Sequence, residues 1–148
     1  HIKAFSHIEG VKILDNAVVG PFARLRPGTV IGPNSHIGNF VEIKKTHIKK
    51  NSKINNLSYL GDSNVGENVN IGAGVITCNY DGAKKNKTKI GDNVFVGSNA
   101  SLVAPIKLGK SSIVGAGSVI TQSVKEKALA VERNLQKTFP NYRKNRKK

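Results

Sequence analysis

Acid is what this chain has least of. Nine Asp and Glu face 24 Lys and Arg in 148 residues, a formal net charge of +15. Tryptophan is absent and the other aromatics are few (Tyr 3, Phe 5). A single-stranded nucleic-acid platform needs a series of stacking rings among its cations, and none accompanies these lysines. The single cysteine, Cys78, excludes an intramolecular disulfide and fits a reducing compartment, so a cytoplasmic location is expected. No apolar run approaches the roughly 20 residues of a membrane-spanning helix. No signal peptide opens the chain. Its start at His1 has the look of a fragment, with a partner domain expected upstream.

The positive charge is unevenly spread. Lys137, Arg143, Lys144, Arg146, Lys147 and Lys148 form a basic end with no acid after Glu132. Such ends are commonly solvated. Lys44, Lys45, Lys49, Lys50 and Lys53 form a second cluster. Small anionic substrates explain a basic cleft as well as nucleic acid does, and the missing aromatics weigh against the latter.

What the chain does have is a six-residue period. Aliphatic residues recur at Ile13, Val19, Leu25, Ile31, Ile37, Ile43, Ile48, Ile54, Leu60, Val65 and Ile71, and again at Ile90, Val96, Leu102, Leu108, Val114 and Ile120. An amphipathic helix needs spacings of three and four, and a flat sheet needs long alternating strands. A hexad repeat instead predicts a parallel β-helix, each hexad forming one short face of a triangular coil. The fifth hexad position is small (Ala17, Ala23, Thr29, Ser35, Ser52, Ser58, Ala100, Ser112, Ser118) and is expected to point inward near a corner. Asparagine at the fourth position (Asn16, Asn34, Asn51, Asn68, Asn93, Asn99) and glycine after the inward residue suit left-handed backbone angles at corners. The fold class expected is all-β, with coils over residues 1–124. Residues 78–89 should loop out, because CNYDGAKKNKTK breaks the hexad count. A short helix around 126–136 and a basic tail should fill 125–148.

Stacking aligns residues three hexads apart, about 4.8 Å from coil to coil. Arg26 should therefore lie over Lys44. Two such cations repel by roughly 3 kcal/mol at an effective dielectric near 20 and about 1 kcal/mol in water. Either they splay into solvent or a phosphate sits between them. Two further files are expected: Arg24, Glu42, Tyr59, and His36, Lys53, Asn70. Both are rich in hydrogen-bonding groups, but polar residues are also ordinary at solvated corners.

The segments PFARLRPG (21–28), GNFVEIKK (38–45), LSYLGD (57–62), NVNIGAGVITCNYDG (68–82) and VFVGSNASLVAP (94–105) carry a more specific signal. They resemble the left-handed β-helix domain of the bacterial bifunctional N-acetylglucosamine-1-phosphate uridyltransferase/glucosamine-1-phosphate acetyltransferase family. The resemblance implies acetyl transfer from acetyl-CoA to the amine of glucosamine 1-phosphate, on the way to UDP-N-acetylglucosamine for cell-wall and lipopolysaccharide synthesis. It implies a homotrimer with sites between subunits, and a uridyltransferase domain upstream. By the same resemblance Arg26, Lys44, Tyr59, Asn70, Asn79, Tyr80 and Lys85 would contact the sugar phosphate. Ala73, Asn79, Tyr80, Ser98, Ala116 and Arg133 would contact acetyl-CoA. No metal is implied.

One position departs from the family. Its general base is a histidine immediately before the LSY segment, and Asn56 stands there. An amide cannot take up the proton, and general base catalysis is commonly worth about 10²–10⁴-fold. Glu42, matching the acid near that base, remains. Three readings follow: the amine arrives deprotonated and positioning alone suffices; another residue or a water relayed by Glu42 serves as base; or the domain is a trimeric scaffold that binds with little or no turnover. His36 and His47 are not replacements, since the hexad count puts neither beside Asn56. A zinc hydratase on the same fold would need three converging histidines, and these two occupy different hexad positions. Cys78 has no histidine neighbour in sequence and reads as a loop thiol.

Overall fold

The chain winds through three parallel sheets of seven, six and seven strands. A computed structural model describes residues 1–143. Face I stacks His7–Ile8, Arg24–Leu25, Glu42–Lys44, Tyr59–Gly61, Ile76–Cys78, Ser101–Val103 and Val119–Ile120. Face II stacks Val11–Ile13, Thr29–Ile31, His47–Ile48, Ser63–Val65, Thr88–Ile90 and Ile106–Leu108. Face III stacks Val18–Val19, His36–Asn39, Lys53–Asn56, Asn70–Ile71, Phe95–Val96, Ile113–Val114 and Leu129–Ala130. Each strand pairs in parallel with the equivalent strand one coil away, giving a left-handed β-helix of about seven turns.

The hexad aliphatics fill the prism. Leu25, Ile31, Ile37, Ile43, Ile54, Leu60, Leu102 and Leu108 are all fully buried. Each contributes about 1.5–3 kcal/mol by leaving water. The small fifth-position residues from Ala17 to Ser118 are buried beside them. The hydroxyls of Thr29, Ser35, Ser52 and Ser58 donate to backbone carbonyls of the next coil, as Ser52 Oγ does to Gly66 O at 2.8 Å and Ser35 Oγ to Lys49 O at 2.9 Å. Thr88 Oγ1 and Ser112 Oγ are buried without a partner. Thr88→Val removes an unsatisfied hydroxyl at nearly constant shape, and should stabilise the domain by about 1 kcal/mol. A raised denaturant midpoint with unchanged slope would show it; a lowered midpoint would contradict it.

All six fourth-position asparagines have positive φ, from 54° at Asn68 to 60° at Asn51, as the sequence predicts. The glycines differ. Most of those after the inward residue do not have positive φ; they are required by close approach. A Cβ on Gly32 would lie 2.6 Å from Ile48 O of the next coil. On Gly38 it would collide with the Asn55 carbonyl.

Two boundaries also differ. Cys78 pairs with Val103 and Thr88–Ile90 with Ser63–Val65, so the excursion spans 79–87 only. The helix expected around 126–136 is not formed. The chain instead adds another stretch of coil: Leu129–Ala130 pairs with Ile113–Val114, with Ile113 N donating to Ala128 O and Gly115 N to Ala130 O. The physical reason is the open edge of face III, whose N–H groups a helix would have left unpaired. Residues 131–139 follow without regular structure. Of the basic tail, Lys144, Arg146, Lys147 and Lys148 lie outside the described residues. Among the described residues no helix is long and apolar enough to cross a membrane.

Candidate functional site

Face I builds the predicted cation file. Leu25 pairs with Ile43 and Arg24 with Glu42, so Arg26 follows directly over Lys44; both are half-buried. Arg26 Nη1 lies 3.0 Å from Glu42 Oε1, and Arg24 Nη1 lies 3.5 Å from the same oxygen. One carboxylate is therefore shared by two guanidinium groups. Tyr59 sits in register on Glu42, completing the expected file of Arg24, Glu42 and Tyr59. The file His36, Lys53, Asn70 is likewise in register, on face III.

The excursion starts at the corner between faces I and II. Its first residue, Asn79, is buried. Asn79 Nδ2 donates to Asp62 Oδ2 at 2.6 Å and to the Tyr59 hydroxyl at 3.4 Å. Arg26, Lys44, Tyr59 and Asn79 are thus gathered on one face. Beyond Asn79 the loop folds on itself. Tyr80 and Lys85 form an antiparallel bridge, and Lys85 Nζ stands 3.9 Å from the Tyr80 ring centroid, within cation–π range. Asp81 accepts the N–H groups of Ala83 and Lys84 and the side-chain amide of Asn86. Those donors hold its carboxyl down at about 2, the backbone N–H of Lys84 contributing most.

A second group gathers at the corner between faces III and I. Asn56 is exposed at the end of its strand, in register with Asn39. Asn70 stands apart from them, at the face II end of face III, in register with Lys53 and three residues before the level of Asn56. Ala73, Ser98 and Ala116 each stand two residues beyond registered core positions Ile71, Val96 and Val114, and form a vertical file of small residues. The chain end comes back to this file. Glu132 N donates to Ser118 Oγ, and Glu132 Oε2 accepts Val119 N. That anchor lays Arg133 against Gly117, where a Cβ would be 3.9 Å from Arg133 Cδ. Apart from Asn70, the predicted residues therefore form two groups at opposite edges of face I, and within one chain no hydrogen bond or ion pair among the described residues joins them.

His36 and His47 lie on different faces. No cluster of three or more His, Cys, Asp or Glu is placed to hold a metal ion among the described residues. Three residues escaped the sequence reading: Asp62, Asp81 and Glu132. Each is one of only nine acids, and each tethers a segment that carries predicted contact residues. The Asp-Gly pair at 81–82 was the available signal for a loop organiser. Asp62 and Glu132 act through contacts that the hexad count does not reach.

Comparison with known proteins gives a consistent picture. A profile for the "GMPPB C-terminal domain" matches residues 7–80, and one for the "hexapeptide repeat of succinyl-transferase" matches residues 87–122. Bifunctional protein GlmU of Cellvibrio japonicus is 58% identical over 139 residues, which is 94% of this chain and 31% of that protein. GlmU of Nitratidesulfovibrio vulgaris is 54% identical over 142 residues, 96% of this chain and 31% of the other. The chain thus spans about a third of the length of these relatives. Among solved structures, a mutant of the N-acyltransferase AntD from Bacillus cereus, in complex with dTDP-4-amino-4,6-dideoxyglucose and coenzyme A, superposes with TM-score 0.73. It has 19% identity and covers 90% of this chain and 82% of its own. A histidine-to-asparagine mutant of perosamine N-acetyltransferase from Caulobacter crescentus, in complex with CoA and GDP-perosamine, superposes with TM-score 0.60. It has 21% identity and covers 83% of this chain and 54% of its own. At these identities the superpositions establish the shared fold.

Proposed function

Because the chain belongs to the family of the GMPPB C-terminal domain and resembles the curated GlmU proteins over most of its length, we propose that it is an acyltransferase domain that moves the acetyl group of acetyl-CoA to the amine of glucosamine 1-phosphate. In that reaction the neutral amine nitrogen attacks the thioester carbonyl. A C–N bond forms, the C–S bond breaks, CoA leaves as the thiol or thiolate, and the amine's surplus proton passes to a base or to water.

The observation that carries this reading is the file of Arg26 over Lys44, closed by the buried Asn79. Two half-buried cations one coil apart are unfavourable alone and become favourable around a phosphate. The small file Ala73, Ser98, Ala116, with Arg133 at its end, offers a track along the prism for the cofactor and a cation for its phosphates.

The two groups sit at opposite edges of face I, so a complete site requires another copy to bring the missing half. This supports a homotrimer with sites between subunits. The corner between faces III and I carries a suitable apolar strip. Phe5, Phe22 and Phe40 stack with centroids 5.1 and 5.5 Å apart, continued by the exposed Leu57 beside Asn56. In the longer protein an upstream uridyltransferase domain would share the chain, with the coils and the C-terminal tail as separate units, in the cytoplasm.

A second reading is favoured by Asn56. A domain without its base keeps both binding surfaces and turns over weakly or not at all. Two measurements separate the readings. Saturating CoA should raise the thermal midpoint, since ligand at about 100 times its Kd stabilises the native state by about 2.7 kcal/mol. Thiol release from acetyl-CoA should depend on added glucosamine 1-phosphate. Stabilisation without release identifies the binding scaffold, and the absence of both sinks the acyltransferase reading.

A further inference from the structure

The excursion over 79–87 makes no contribution to the stacked core, and most of it is exposed. Its order comes from within. Asn86 N donates to Asn79 O at 2.7 Å, closing the base of the loop. Gly82, with φ of +94°, makes the turn. At the centre is Asp81. Its Oδ1 accepts Ala83 N at 2.9 Å and Lys84 N at 2.8 Å, its Oδ2 accepts Asn86 Nδ2 at 2.8 Å, and its own N–H donates to Lys84 O at 3.2 Å. One side chain therefore ties together three of the next five residues. On either side of that cage stand Tyr80, whose hydroxyl donates to Gly82 O at 2.6 Å, and Lys85, whose ammonium lies over the Tyr80 ring.

We propose that Asp81 is a positioning residue: it cages the loop so that the Tyr80 ring, steadied by the Lys85 ammonium over it, is presented preformed to acetyl-CoA. The inference rests on the acyltransferase reading above and adds to it how that loop is made competent. Asp81 needs no contact with either substrate. A carboxylate in a chain this basic would ordinarily pair with a cation. This one spends its acceptors on two backbone N–H groups and a side-chain amide instead, and leaves Lys84 and Lys85 free of ion pairs among the described residues. A loop that is competent only part of the time weakens apparent affinity in proportion to that fraction.

The test is a hydrogen-bond swap in the full chain. Asp81→Ala should leave the thermal midpoint unchanged, speed amide exchange at Ala83 and Lys84 by about tenfold, and raise the Kd for CoA by about tenfold. Asp81→Asn should weaken binding too, because its amide group would meet the Asn86 amide donor to donor. Asp81→Asn combined with Asn86→Asp reverses the pair and should restore affinity to within about threefold of the parent. Unchanged exchange in Asp81→Ala would show that the cage does not order the loop. Faster exchange with unchanged CoA affinity, or no recovery in the swapped pair, would overturn the positioning role. A parent chain that fails to bind CoA would sink the acyltransferase reading and with it the ligand assigned here, and the exchange measurement would still report on the cage.

Discussion

Asn56→His should raise the turnover number for acetyl transfer by about 10²–10⁴-fold, with the KM values for both substrates within a few-fold of the parent. Asn56 closes the strand Lys53–Asn56, and its backbone carbonyl accepts Gly74 N at 3.3 Å and Ser58 Oγ at 2.9 Å. The scaffold under the side chain is thus fixed by the coil, while the side chain is exposed and has no hydrogen-bond partner among the described residues. Exchanging amide for imidazole changes the chemistry at the corner without disturbing what holds the corner in place. Glu42 is badly placed to stand in as base, since Arg24 and Arg26 both claim its Oε1. The parent rate should therefore climb with pH as the free amine becomes available. The histidine variant should gain a further limb near the ordinary imidazole value of about 6.5. A histidine variant no faster than the parent would show that position 56 does not serve the proton transfer in this chain.

How far such arguments could be made from sequence depends on where the period holds. Inside the solenoid, place is arithmetic: counting hexads put Ile43 in the core, Asn51 in the left-handed region and Arg26 over Lys44, and all three are so. The glycines were identified correctly and explained wrongly. The count gives a position but not the close approach of the next coil, which would leave a Cβ on Gly32 only 2.6 Å from the Ile48 carbonyl oxygen. Where the period stops, the arithmetic stops with it. Local helix signals over 126–136 lost to the unpaired edge of face III, a long-range demand invisible in that segment. The tethers from Asp62 to Asn79 and from Glu132 to Ser118 join residues that no repeat relates. Apart from Asn70, the site residues taken from the family fall into two groups, but their separation across face I appears only once the corners are built.

Arg26→Ala should raise the KM for glucosamine 1-phosphate by about 10–100-fold while leaving turnover within a few-fold, measured in the Asn56→His background where rates are high. A charge-assisted hydrogen bond to a phosphate is worth about 1.5–3 kcal/mol, and Arg26 offers a fork while Lys44 offers a point charge. The substitution leaves Glu42 paired with Arg24, so no acid is orphaned and the stability of the coil should hardly change. Arg26→Lys should fall between, keeping the charge and losing the fork. Both cations are half-buried rather than enclosed, so the penalty should shrink as salt rises and the parent's own affinity is screened. Lys44→Ala should act in the same direction. If the two side chains flank one phosphate, the double variant should lose less than the sum of the single losses, because a phosphate freed from either cation is no longer held in place for the other. Strict additivity would place them on separate groups. CoA affinity should change much less than the sugar KM, since neither Arg26 nor Lys44 belongs to the small-residue file or to the Tyr80 loop proposed for the cofactor. A sugar KM unchanged by Arg26→Ala, or a fall in CoA affinity of equal size, would remove the phosphate from the Arg26–Lys44 file.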